Sequence, residues 1–181
     1  MPSRGRLPLL APLLLLLAWP AQAATVLAYD VHDLATQADV VARGTVAKAE
    51  ARWEGKRIVT DVTLSVAATL KGARAAQLTF VVPGGVADGV GMVVPGAPSF
   101  APGEDVVVFL RRQAGAYAVV GLGQGKYHLA RDKDGATIAT PALEGLSLVR
   151  ALPDGSLAPA SPPKALKLSD LEAEVARALG R

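Results

Sequence analysis

The sequence predicts a mainly β domain, built as a closed or partly open β-barrel and followed by a C-terminal α-helix. Residues 58–70 alternate apolar and polar side chains over 13 positions, which is typical of a strand with one buried face. Such a strand would be about 40 Å long, so in a small domain it must curve strongly or bend, as barrel strands do. Residues 169–179 instead repeat Leu and Val at helical spacing.

The first 23 residues predict a secretory signal peptide. Arg4 and Arg6 precede an apolar run at 9–19, and Ala21-Gln22-Ala23 is an A-x-A cleavage site. The run is shorter than the roughly 20 apolar residues that span a bilayer, and the cleavage site disfavours an uncleaved membrane anchor. We therefore expect an exported protein, periplasmic or extracellular, that begins at Ala24 and has no transmembrane anchor in the mature chain.

Composition narrows the function classes. Without the leader 158 residues remain, enough for one domain with its own core, with 17 Lys and Arg against 16 Asp and Glu. This near balance does not supply the basic surface that nucleic-acid binding needs, so we expect no nucleic-acid partner. The chain has no cysteine, which excludes thiol catalysis, disulfides and thiolate metal sites.

The predicted barrel starts after a short helical segment at 31–39. The strand at 40–53 changes its apolar parity midway, which indicates a β-bulge near Gly44. Residues 54–57 form the polar hairpin that leads into the strand at 58–70. The further predicted strands are 77–82, a central strand at 104–112, and shorter strands at 117–122, 126–130 and 136–140, the last two joined by an Asp134-Gly135 turn.

The C-terminal part divides into a tether and a helix. The barrel domain is expected to span 24–157, and the Pro-rich residues 158–168 form a semi-rigid tether. The helix at 169–179 has Ser169 and Glu172 in the spacing of a capping box. We expect its apolar stripe to dock on the barrel, with partner binding as the alternative.

A Gly- and Pro-rich connection at 83–103 is the first candidate for a binding surface. Loops this long are uncommon inside compact domains and are usually functional or disordered, although a structural crossover that caps one barrel end is the alternative. The stretch 122–127 is the second candidate, with a structural turn as the favoured explanation of its glycines. The predicted protein-contact residues are Met92, Val93, Val94, Phe100, Arg111, Arg112, Tyr117, Gln124 and Lys126.

The block 38–112 resembles the netrin-like (NTR) modules, the OB-fold group that includes the tissue inhibitors of metalloproteinases. The matching features are Ala38-Asp39-Val40-Val41 before Gly44-Thr45-Val46, then Leu70-Lys71-Gly72, and Pro102-Gly103-Glu104 before an apolar strand. The chain is also similar to exported bacterial proteins with this strand order and a trailing helix. The resemblance implies an OB-fold barrel. It does not imply the inhibitors' mechanism, since those present an N-terminal cysteine and this chain has none.

Motifs for catalysis or metal binding are largely missing from the sequence. His32 and His128 lack neighbouring ligands at metal-site spacing, and Asp132-Lys133-Asp134-Gly135 fits a hairpin better than a calcium loop. Neither G-x-S-x-G nor a phosphate-binding P-loop occurs. We therefore predict no catalytic, cofactor-binding or metal-binding residues.

The resulting prediction is an exported, non-catalytic binding module. Its expected partner is another exported protein, with a protease among the candidates, contacted by the 83–103 loop and a barrel rim. The alternatives are an envelope-associated structural protein and a hydrolase with dispersed active-site residues. A binding module should expose an apolar patch near 92–100, whereas an enzyme should place a histidine beside a carboxylate and a hydroxyl in a cavity.

Overall fold

The computed structural model describes residues 23–181. The predicted leader lies outside these residues except for Ala23. The described chain is mainly β with a C-terminal helix, which confirms the broad fold class. Its elements are β1 (Ala24–Leu27), α1 (Val31–Gln37), β2 (Val40–Glu54), β3 (Arg57–Lys71), β4 (Gln77–Pro83), β5 (Gly85–Ala87), β6 (Val90–Met92), β7 (Asp105–Gln113), β8 (Ala116–Val119), β9 (Lys126–Arg131), β10 (Thr137–Pro141), β11 (Leu146–Ala151), β12 (Leu157–Pro159), β13 (Leu166–Lys167) and α2 (Leu168–Ala178).

The main sheet has eight strands, in the order β13-β10-β9-β7-β2-β3-β4-β8. Strand β8 also pairs with β7, so β7, β2, β3, β4 and β8 close into a ring of five strands. All pairings within the ring are antiparallel except β4 with β8, which meet in parallel at Val81 and Ala118. Strands β9, β10 and β13 extend the sheet beyond the ring at β7.

The two longest strands bend as their sequence predicts. The register between β2 and β3 shifts at three places between Val41 and Lys48, which confirms the bulge expected near Gly44. A side chain at Gly44 would collide with the carbonyl group of Ser65, so only glycine fits at this position. The predicted inward parity does not hold for Trp53, which is 41% exposed although its cross-strand partner Ile58 is only 1% exposed.

Strand β7 lies between two hydrophobic clusters. All five residues from Val106 to Leu110 are fully buried, which confirms the predicted central strand. Val106, Val108 and Leu110 pack with the other ring strands, around Phe80 and Leu64. Val107 and Phe109 face the opposite way and pack with β9, β10 and both helices.

The C-terminal helix packs on its own domain, as predicted. Leu171 and Val175 are buried in the cluster that also contains Leu34 of α1. The predicted capping box was wrong: the N-cap is Lys167, without a side-chain cap, and Glu172 forms an ion pair with Arg43 instead. The helix begins at Leu168, one residue before the predicted start, directly after β13 pairs with β10. Within residues 23–181, no helix is long and apolar enough to cross a membrane.

Three parts of the fold, which contain six strands, were not foreseen from the sequence. Residues 24–27 form β1, which pairs in parallel with β11, and β12 completes this small sheet. The predicted tether is therefore partly strand, since 157–159 and 166–167 both pair with other strands. The third is the hairpin of β5 and β6, within the predicted 83–103 loop. Parallel and short pairings of this kind depend on distant segments, so no local periodicity marks them.

Candidate binding surface

The predicted 83–103 loop contains a small hairpin that projects from the ring. Among residues 23–181, strands β5 and β6 pair with each other and with no other strand, around a turn in which Asp88 and Gly89 have positive φ. The base of the hairpin lies against the β2–β3 hairpin. A Cβ at Gly85 would be 2.5 Å from Thr60 Oγ1 and 2.8 Å from Ala51 Cβ, so close contact there requires glycine.

The hairpin and the residues after it expose aliphatic side chains. Val86 is 69% exposed, Val90 48% and Val93 91%, while Met92 and Val94 are half-buried. Val86 and Val93 line the same groove, whereas Val90 pairs with Ala87 and points to the other face of the hairpin. We call Val86 and Val93 the valine patch. It borders a groove of about 360 Å³ between the hairpin and residues 97–100. Exposed aliphatic residues that border one groove are the feature expected of a binding module.

The segment that carries the valine patch is held at both ends. At its start, Gly84 N–H donates to Ile58 O at 2.9 Å, and Thr60 Oγ1 donates to Gly84 O at 2.7 Å. At its end, the ring of Phe100 packs edge-on against Phe80, with centroids 5.0 Å apart. The exposed valines are thus presented by an anchored segment.

A buried ion pair secures the end of this segment to the sheet. Lys126 Nζ lies 2.6 Å from Glu104 Oε1 and donates to Ser99 O at 2.6 Å, and it also lies 4.5 Å from the centre of the Phe100 ring. The second carboxylate oxygen of Glu104 accepts from Ala101 N–H at 3.2 Å. Burial raises the pKa of Glu104, but its hydrogen bonds, with Lys126 first, outweigh this and hold the pKa below its ordinary value.

His128 extends this cluster towards solvent. Its Nδ1 lies 3.0 Å from Glu104 Oε1, and its side chain is half exposed. The histidine borders a cavity of about 370 Å³ that Thr140 and Glu144 also line. A histidine therefore does lie beside a carboxylate and a hydroxyl-bearing residue, which sequence reasoning missed because Glu104 and His128 meet only through the pairing of β7 with β9.

Two of the predicted contact residues are structural instead. Gln124 is 2% exposed; its side chain accepts from Tyr29 N–H at 2.8 Å and donates to Leu27 O at 3.1 Å. Lys126 is 5% exposed and engaged as described above. A partner cannot reach either side chain, so we remove both from the contact set. The 122–127 stretch is mainly a 3₁₀ turn, as favoured from its glycines.

The remaining predicted contact residues lie at the β7–β8 end of the ring. Arg111 and Arg112 are exposed, and the Arg112 guanidinium carbon lies 5.7 Å from the centre of the Tyr117 ring. Tyr117 borders a groove of about 410 Å³ between the turns that follow β2 and β7. Pro83 borders both this groove and the valine groove. The predicted set therefore forms two neighbouring surfaces rather than one.

The described residues contain no group of three or more His, Asp or Glu side chains placed to hold a metal ion. His32 lies near Asp30 and Glu174, apart from the cluster around His128. Comparison with known proteins found no matching family model, no matching curated protein and no matching solved structure.

Proposed function

We propose that this protein is an exported, non-catalytic binding module that engages another exported protein through the valine patch and the adjoining rim of the ring. The observation that carries the proposal is the exposure of Val86 and Val93 on a segment anchored at both ends. Anchoring lowers the conformational entropy lost on binding, and burying exposed aliphatic surface supplies the driving force. A protease is one candidate for the partner.

We also propose that the ring of five strands is an OB-type barrel, as the resemblance to netrin-like modules implies. The strands of the ring are neighbours in the order β2-β3-β4-β8-β7, and β7 pairs with β2 to close it. Counted from β2 along the chain, this is the order 1-2-3-5-4, with strands 3 and 5 (β4 and β8) in parallel. OB-fold barrels are five-stranded and bind ligands on one face and through loops between strands. The groove beside Tyr117 lies between two such loops, which supports a rim contact next to the valine patch.

The test is partner capture with matched variants. Residues 24–181, which contain every strand and helix described, serve as bait in the extracellular and periplasmic fractions of the source cells. We expect one stoichiometric protein partner, lost when Val86→Asp and Val93→Asp are combined and retained with Leu157→Asp. Leu157 is a suitable control because it is 61% exposed on a different sheet. No partner at micromolar bait, or equal loss with the control, would overturn the proposal.

One observation favours a hydrolase as a second candidate function. Glu104 contacts His128 Nδ1, an arrangement that leaves Nε2 free to act as a general base. The same carboxylate oxygen is already paired with Lys126, which weakens its support for a protonated imidazole. Ester and peptide substrate screens with His128→Gln as the comparison test this candidate. Activity that the variant loses would favour it over binding. An envelope-associated structural role predicts instead that the protein sediments with membranes.

A further inference from the structure

The face of the main sheet beneath the helices changes character where α2 begins. Under the helices it carries buried apolar residues, among them Val41, Val107, Leu129 and Ala139. Further along these same strands, on the same face, the residues are polar. They are Arg43 and Thr45 of β2, Asp105 of β7, Arg131 of β9 and Thr137 of β10.

These five side chains line one cavity of about 230 Å³, and Leu168, the first residue of α2, forms part of its wall. The pairing of β2 with β7, and of β9 with β10, sets this arrangement: Thr45 lies opposite Asp105, and Arg131 opposite Thr137. Four strands thus contribute polar groups to one concave site. We call it the Arg43–Arg131 cavity.

Both arginines of the cavity have unused donors. Arg43 Nε is buried and has no hydrogen-bond partner within residues 23–181; Glu172 Oε1 is 3.7 Å away, too far for a hydrogen bond. Arg131 forms no ion pair with any carboxylate of the same residues. Buried polar groups in folded proteins are nearly always paired, so the Nε–H of Arg43 is a donor without its usual partner, one that an oxyanion would satisfy.

The electrostatics of the cavity favour an anion that also carries a hydrogen-bond donor. The lining carries two guanidinium groups and one carboxylate, and Glu172 of α2, which pairs with Arg43, brings the formal charge of the site to zero. Attraction of an anion therefore depends on the local field of Arg131, which has no carboxylate partner among residues 23–181. The N-terminus of α2 adds partial positive charge from its aligned peptide dipoles, part of which the first-turn Asp170 offsets. Asp105 Oδ1 accepts a hydrogen bond from the Thr45 hydroxyl. The second carboxylate oxygen can only accept hydrogen bonds, so it calls for a ligand that carries a donor.

We propose that the Arg43–Arg131 cavity binds a small molecule that carries a carboxylate or phosphate group next to a hydroxyl or amine. The anionic group lies between the two guanidinium groups, whose planar forks match oxyanions, and the donor meets Asp105. The cavity volume limits the ligand to a small molecule. This site shares no residue with the valine groove and is independent of the proposed protein contact.

The experiment is an NMR titration of ¹⁵N-labelled residues 24–181 with two probes, inorganic phosphate and lactate. We expect saturable shifts of the Arg43 and Arg131 Nε–H signals and of the Gly44 amide. Arg131→Gln should weaken binding by about tenfold, because it removes charge-assisted hydrogen bonds from an exposed residue that the fold does not need. Arg150→Gln is the control, since Arg150 is also exposed but lies on β11.

Asp105→Asn separates the two parts of the site. Loss of its negative charge should tighten the binding of both anions, and by less for a probe whose hydroxyl donates to Asp105. Saturation by phosphate alone or by lactate alone would support the site and identify which anion it prefers. Absence of saturable shifts with both probes at tens of millimolar, or equal affinities in Arg131→Gln and the parent protein, would overturn the proposal.

Discussion

Two Lys–Glu ion pairs of this protein have similar lengths but opposite exposure. Lys126 Nζ lies 2.6 Å from Glu104 Oε1, and the two side chains are 6% and 14% exposed. Lys48 Nζ lies 2.8 Å from Glu50 Oε1, with both side chains more than half exposed. The charges of the exposed pair keep most of their hydration, whereas those of the buried pair have lost it and depend on each other.

Since the N–O distances are similar, burial decides how much each ion pair contributes to the stability of the fold. The buried pair also has neighbours that the exposed pair lacks: Ser99 O, Phe100 and His128 all contact Lys126 or Glu104. It therefore determines where the 83–103 segment rejoins the sheet, and so how firmly the valine patch is presented. The exposed pair lies along a single strand, β2, and holds no second segment in place.

The largest expected effect comes from removing one partner of the buried pair. Lys126→Met leaves Glu104 without its main hydrogen-bond donor, so we expect the free energy of unfolding to fall by about 3 kcal/mol. Lys48→Met, the matched control, should change it by less than about 0.5 kcal/mol. Urea unfolding followed by circular dichroism measures both. Similar losses in the two variants would show that burial does not separate the pairs.

Acid should weaken the buried pair in a defined pH window. The folded-state pKa of Glu104 lies below its ordinary value of 4.5, so its contribution to stability is present above that value and is lost as the pH falls through the folded-state pKa. We expect Glu104→Gln to lose stability relative to the parent protein at neutral pH, and this difference to shrink below pH 4.5. Unfolding curves at a series of pH values measure it. A difference that is independent of pH would contradict the assignment.

The smallest effect is that of salt. About 1 M NaCl shortens the screening length to roughly 3 Å and acts mainly on exposed charges. The small difference in unfolding free energy between Lys48→Met and the parent protein should therefore disappear, while that of Lys126→Met should persist. The measurement is urea denaturation at low and high salt, because urea is uncharged and does not change the ionic strength. Equal loss of both differences would indicate that water reaches Lys126 as freely as Lys48.

The sequence predicted the exposure of some residues of the candidate surface correctly and of others wrongly. The glycine and proline content of 83–103 predicted an exposed binding segment; the structure shows the exposure, with Val93 the most exposed large apolar residue described within it. Gln124 and Lys126 were wrongly predicted to be exposed contact residues. The local sequence of a polar residue beside glycines is the same whether its side chain faces solvent or donates to backbone carbonyls, as these two do. The Arg43–Arg131 cavity had no sequence signal, since its residues come from four strands.

Local patterns alone determined the mainly β class, the long bent strands β2 and β3, the buried central strand β7 and the C-terminal helix. Each of these depends on the periodicity of neighbouring side chains, which reports directly which face is buried. Tertiary structure alone decided the parallel pairing of β1 with β11, the Lys167 cap and the meeting of Glu104 with Lys126 and His128. Those features depend on segments far apart in the chain, whose contact free energies outweigh the weaker local preferences.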